Sequence, residues 1–150
     1  MASEPPRPLG QRKQDTLARL WRDEDAWVAS ADRDGNVHLV PLSFLWDGAV
    51  FVVATPESSP TGRNLRSSGR VRMAIGPTRD VVIIEGTVEA FTLETVPADM
   101  ATKYAAELWD PRKQTPRYAY YRITPRRIQA WREENELAGR DLMRDGRWLV

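Results

Sequence analysis

The chain predicts a mainly β fold with short helices: a six-stranded antiparallel barrel, closed or partly closed. Three observations predict it. Three strand-like runs follow one another across two Asp-Gly turns. A further set of strands follows after a loop, with no helix longer than a few turns between them. Several runs are apolar on both faces, so a single two-sided sheet exposed to water does not suffice.

The first element is a helix over residues 11–21, where Leu17, Leu20 and Trp21 fall at helical spacing. Residues 1–10, proline-rich at the start, read as a flexible leader, and 11–150 as a single domain. Ala26–Ser30 is the first strand. Asp34-Gly35 turns the chain, because glycine accepts a positive φ, and Val37–Trp46 returns antiparallel. Asp47-Gly48 turns it again into Ala49–Ala54. Along Val37–Trp46 one face carries Val37, Leu39, Pro41 and Leu45, and the other Val40, Leu42, Phe44 and Trp46. A small barrel has one interior, so the second apolar face calls for helices, a flat ligand or a second subunit.

Thr55–Gly62 reads as a loop, and Arg63–Ser68 as one or two helical turns closed by Gly69. Val71, Met73 and Ile75 alternate with Arg70, Arg72 and Ala74, a half-exposed strand. Val81–Ile84 lacks alternation, which predicts cover on both faces of a strand running to Phe91. Gly86 within it marks a bulge or bend. Pro97 opens a helix with Met100, Tyr104 and Leu108 on one face. Tyr118–Trp131 is strand, interrupted at Thr124-Pro125, and Asp145-Gly146 is a third hairpin turn.

Composition narrows the chemistry. The 150 residues carry a formal charge of +1, which does not imply bulk nucleic acid as a partner. Arg122, Arg126, Arg127 and Arg132 near Tyr120, Tyr121 and Trp131 could form a basic aromatic surface, but the interleaved acids favour a solvated or interfacial face. There is no cysteine, hence no thiolate chemistry, and one histidine, His38, so no metal site is expected. His38 reads as a strand residue facing a polar partner. No apolar run approaches a membrane span or a signal peptide, and a cytoplasmic location is expected.

Four segments in order carry a resemblance: Asp34–Leu42, Phe44–Gly48, Ser59–Leu65 and Thr78–Gly86. Together they resemble the pyridoxamine 5'-phosphate oxidase-like FMN-binding split-barrel superfamily, in its flavin/deazaflavin oxidoreductase branch, over Trp27 to about Trp131. The resemblance implies a homodimer of two six-stranded split barrels with two cofactor sites across the interface. It implies that Thr55, Ser59, Thr61, Gly62, Arg63 and Asn64 hold the cofactor phosphate, a task for which hydroxyls, amides and a guanidinium are suited. It places Val40, Pro41, Leu42, Ser43 and Phe44 beside the ring. Arg79 and Trp131 are further candidates at the seam, and the tail to Trp148 is similar to one that often reaches the partner's site. Relatives often have lysine or arginine where this chain has Ser59 and Thr61. Either Arg63 supplies the charge or phosphate is held more weakly.

The implied function is hydride transfer between FMN or the deazaflavin F420, with FMN slightly ahead, and a small organic substrate. The cofactor carries that chemistry, so the lack of a nucleophile–base set is expected, and no catalytic residue is assigned. Quinones, tetrapyrroles and unsaturated carbonyl compounds all remain open as substrates. The alternative is the same barrel as a non-catalytic module that binds or senses a ligand.

Overall fold

The computed structural model describes residues 4–150, so Met1 to Ser3 of the expected leader lie outside the described residues. The strands are β1 (Asp25–Ala31), β2 (Val37–Trp46), β3 (Phe51–Pro56), β4 (Arg70–Ile75), β5 (Val81–Phe91), β6 (Tyr118–Trp131), β7 (Asp141–Arg144) and β8 (Arg147–Trp148). The helices are α1 (Leu9–Arg22), α2 (Pro60–Ser68) and α3 (Ala98–Glu107). Hydrogen bonding runs β3-β2-β1-β4-β5-β6-β7-β8, and β3 also pairs with β6. That extra pairing closes six strands into an antiparallel barrel and leaves β7 and β8 as an appended hairpin. Closure satisfies backbone groups that an open sheet would leave on two edges.

The three Asp-Gly turns form as their chemistry dictates. Gly35, Gly48 and Gly146 all have positive φ, and Asp145 joins Gly146 there at 53°. Strand alternation then fills the interior. Val28, Phe44, Met73, Ile84, Tyr121 and Ile123 are all nearly inaccessible. The Phe51 ring centroid stands 5.7 Å from Phe44 and 4.5 Å from Trp46.

β6 is continuous, contrary to the expected break at Thr124-Pro125. The register against β5 slips between Glu85 and Gly86, so that Glu85 faces Arg127 while Gly86 faces Pro125. The proline therefore falls at a bulge, one of the few places within a sheet that accept a residue without an N–H. A Cβ on Gly86 would lie 2.7 Å from the Ile123 side chain and 2.9 Å from the Thr124 carbonyl oxygen. Glycine is the residue that fits.

Each helix covers a different part of the barrel. α1 begins at Leu9, inside the expected leader, and buries Arg12, Thr16 and Leu20. α2 begins at Pro60, ahead of the expected Arg63, and sends Leu65 into the barrel core. α3 lies on the outer face, where Ala101 and Tyr104 pack with Leu45, Val52, Ala54 and Tyr120. Pro97 occupies its N-cap rather than its first helical position. The outer face is thus roofed by α3 on β2, β3 and β6 and at the end of β5, where Phe91 joins the cluster. Val81 and Ile83 on the outer side of β5 stay half-buried, so the expected full cover of both faces is incomplete there.

Candidate functional site on the outer barrel face

Ser59 caps α2. Its hydroxyl accepts the Gly62 N–H at 3.0 Å, donates to the Pro56 carbonyl at 2.8 Å and lies 3.3 Å from the Thr55 hydroxyl. Pro60 follows at the first helical position, where no N–H is needed. A Cβ on Gly62 would stand 2.6 Å from the Pro56 carbonyl oxygen and 2.8 Å from the Tyr121 hydroxyl, so close packing within the chain requires this glycine. Asn64 turns inward and donates to the Ser30 hydroxyl at 3.2 Å. Thr55 and Thr61 are also buried, and the Thr61 hydroxyl has no hydrogen-bond partner. Of the six residues expected around the phosphate, only Arg63 is exposed on the surface.

Arg63 borders an open depression between α2, which supplies Arg66 and Ser67, and the β1–β2 turn, which supplies Asp32, Arg33 and Asp34. The Asp32 carboxylate accepts two bonds from Asn36, side chain and N–H, and one from the Asp34 N–H. Those bonds, led by the Asn36 side chain, hold its pKa below the ordinary value. Arg66 donates to the Glu57 carbonyl at 3.0 Å and lies 3.4 Å from the Tyr121 hydroxyl. Arg33, Arg63 and Arg70 form no ion pair among the described residues. A groove along Ala29, Ala31, Val37, Arg70 and Arg72 leads from there onto the barrel wall.

That wall is the part of the outer face α3 leaves bare. Period two sends Val40, Leu42 and Phe44 into or against the core, whereas Pro41 and Ser43 point outward. Of the five residues expected beside a ring, two therefore present side chains on this wall. Trp27 pairs with Pro41, Ala29 with Leu39 and Ala31 with Val37. Trp27, Leu39 and Val37 are 52%, 58% and 75% exposed, an apolar strip uncommon on a lone subunit.

Arg79 and Trp131 lie elsewhere. β4 runs from Arg70, beside α2, to Ile75, and Arg79 follows in the turn beyond its far end. Both Glu133 carboxylate oxygens accept from Arg79 at 2.9 Å. Trp131 pairs with Val81, and the Arg140 guanidinium sits 5.5 Å above its ring. Within one chain these two do not join Arg63. His38 lies across from Ser30 on β1. Sequence reasoning passed over Asp25, Trp27 and Arg33. Trp27 was legible as the outward residue of an Ala26-Trp27-Val28 alternation.

The donor chemistry suits a flat ligand with an anionic tail. Trp27, Leu39 and Pro41 offer an apolar wall, and guanidiniums with no carboxylate partner stand at its rim. Among the described residues no helix is long and apolar enough to cross a membrane.

The family model described as pyridoxamine 5'-phosphate oxidase matches residues 15–132. No curated protein matches the chain. Among solved structures, a provisionally assigned pyridoxamine 5'-phosphate oxidase from Listeria innocua is 18% identical, with 81% of this chain and 98% of that one covered and a TM-score of 0.64. An F420 reductase is 18% identical, covering 74% and 93%, with a TM-score of 0.59. A pyridoxamine 5'-phosphate oxidase-related, FMN-binding protein from Nostoc punctiforme is 12% identical, covering 83% of each chain, also at 0.59. At these identities the likeness concerns the fold.

Proposed function

The chain belongs to the pyridoxamine 5'-phosphate oxidase family, and from that membership we propose a cytoplasmic, flavin-dependent oxidoreductase that works as a homodimer with FMN or F420 on the outer barrel wall. One observation carries the reading: the bare apolar strip of Trp27, Leu39 and Val37 is continuous with the arginine rim at α2. A second copy laid on its Val37 and Leu39 end would bury those residues and enclose a planar molecule at the seam.

Bound there, either cofactor supplies two-electron hydride chemistry. The protein's part is placement. Arg63 and Arg70, with Arg33 nearby, hold the anionic tail, and their lack of carboxylate partners leaves their donors available. The Ser59 hydroxyl, bonded to the Gly62 N–H and the Pro56 carbonyl and beside the Thr55 hydroxyl, stiffens the turn that presents Arg63. Pro41 and Ser43 line the ring side, and Leu39 and Trp27 keep water from it. FMN needs only the phosphate contacts, whereas the acidic tail of F420 would use the whole arginine row. FMN stays slightly ahead, as the lysine usual in the phosphate segment is missing. Residues 11–150 act as one unit in this reading.

The visible spectrum of the purified protein, titration with FMN and with F420, and mass in solution by light scattering test it together. A dimer that binds one of the two with 1:1 stoichiometry per chain is expected. A stable monomer, or a protein indifferent to both cofactors, overturns it. Tight binding without turnover of quinones, enones or tetrapyrroles would make the chain a binding module instead.

A further inference from the structure

We propose that the recess beside Trp27 is a subsite for an organic cation, an alkyl- or arylammonium group carried by the substrate. It depends on the functional reading above only in calling that ligand a substrate.

Strand pairing builds the recess. Asp25 and Trp27 are two apart on β1 and point to the same side, outward. Asp25 stands opposite Ser43 and Trp27 opposite Pro41 on β2, and Trp27 also opposite Ala74 on β4. The residues directly opposite the indole, Pro41 and Ala74, are short, while Leu39 and Arg72 stand one pair farther along, opposite Ala29. Trp27 stays 52% exposed above its short neighbours. The hollow, closed by Gly76 at its end, measures about 540 Å³. That lies within the roughly 300–1,000 Å³ of small-molecule sites.

Charge selects the occupant. The Ser43 hydroxyl donates to an Asp25 carboxylate oxygen at 3.2 Å and so fixes the carboxylate at the edge of the hollow. No arginine or lysine among the described residues pairs with Asp25. The contrast on the same wall is Glu85, which is paired with Arg72 and Arg127. A carboxylate without a cationic partner, two positions from a half-exposed indole on the same face of β1, favours a weakly hydrated cation, on which the ring quadrupole and the carboxylate act together. The opposite end of the wall carries the arginines of α2 and β4. A ligand pair with its anionic tail at that end and its ammonium at this one would match the polarity of the surface.

The test uses the full chain labelled with ¹⁵N, and the probes benzyltrimethylammonium and benzyl alcohol. The indole N–H signal of Trp27, assigned by its loss in Trp27→Phe, reports binding. The cation should shift it saturably and bind about tenfold more tightly than the alcohol. Asp25→Asn should remove that preference, leave the alcohol unaffected and leave FMN or F420 affinity unchanged. Equal binding of the two probes, or a preference that survives Asp25→Asn, overturns the subsite. So does loss of the dimer in Asp25→Asn, which would mean that the partner's cation is what Asp25 holds. A protein that takes no flavin yet discriminates the probes keeps the subsite and loses the oxidoreductase reading. One that takes flavin but treats the probes alike loses the subsite alone.

Discussion

Arg7 and Glu136, separated by 129 positions in the chain, meet in a two-armed ion pair, with Arg7 Nε and Nη2 each 2.8 Å from a carboxylate oxygen. Glu136 also accepts the N–H of Arg7 and of Arg132, and Arg7 reaches on to Asp15 in α1. The buried Arg12 lies 3.9 Å away. One carboxylate thus fastens the start of the chain, the first helix and the segment after β6.

Acid should undo this clasp. The Arg7 hydrogen bonds are the main cause that pulls Glu136 down from its ordinary 4.5 to about 2. A carboxylate with a depressed folded value stabilises fully above the unfolded value and loses that contribution as pH falls through the folded one. Thermal melts of the wild type should therefore drop from about pH 4.5 towards pH 2, by up to about 3 kcal/mol. Glu136→Gln should be less stable by a similar amount at neutral pH, since it leaves the buried Arg12 without a carboxylate and Arg7 with Asp15 alone. Its melts should show a weaker acid dependence. Equal acid sensitivity in wild type and variant would assign the effect to other groups.

Arg63→Ala should separate binding from folding. Arg63 is exposed and forms no ion pair among the described residues, so the melting temperature should stay within the small range of surface changes. Affinity for FMN or F420 should fall about 10- to 100-fold, the loss of one or two charge-assisted bonds. Absorbance titration of wild type and variant decides it. Unchanged affinity would move the anion site away from α2.

Leu39→Asp should break the proposed dimer. Leu39 is mostly exposed in the single chain, so a charge there costs the subunit little. Buried against a second copy without a partner, the same charge should weaken association by at least about a hundredfold. Light scattering over a concentration series reads the outcome, and cofactor binding should fall with it.

Gly62→Ala should harm the scaffold itself. Its Cβ would press on the Pro56 carbonyl and the Tyr121 hydroxyl, both fixed within the chain. A loss of about 3 kcal/mol is expected in urea unfolding, with weaker cofactor binding as a consequence. A variant as stable as wild type would show that α2 can slide.

Local chemistry made much of the fold legible. Asp-Gly pairs dictate hairpins within a few residues, and period two sorted β2 into its inner and outer faces correctly. The start of α2 was hidden because Ser59-Pro60-Thr61-Gly62 satisfies a turn as well as a capped helix start, and only the packing of Gly62 distinguishes them. That same packing turned Asn64 inward, which no periodicity announces. Which half of the outer face receives α3 depends on contacts between Tyr104 and strands some fifty residues earlier in sequence, and the Arg7–Glu136 pair is more distant still. Strand alternation made the outward side chains of β2, Pro41 and Ser43, legible, whereas the packing of α2, which turns Asn64 inward, left no periodic signal.

The hydrogen bond from Asn64 to Ser30, with Leu65 behind it, stops one mouth of the barrel. Nothing of useful size can enter a cylinder already filled by its own side chains, so recognition has to happen on the outside of the staves. Scaffold and specificity are thereby uncoupled: Trp27, Leu39, Pro41 and Arg63 can be exchanged for other residues without repacking anything inside. A barrel of this construction can change its guest while its frame stays the same.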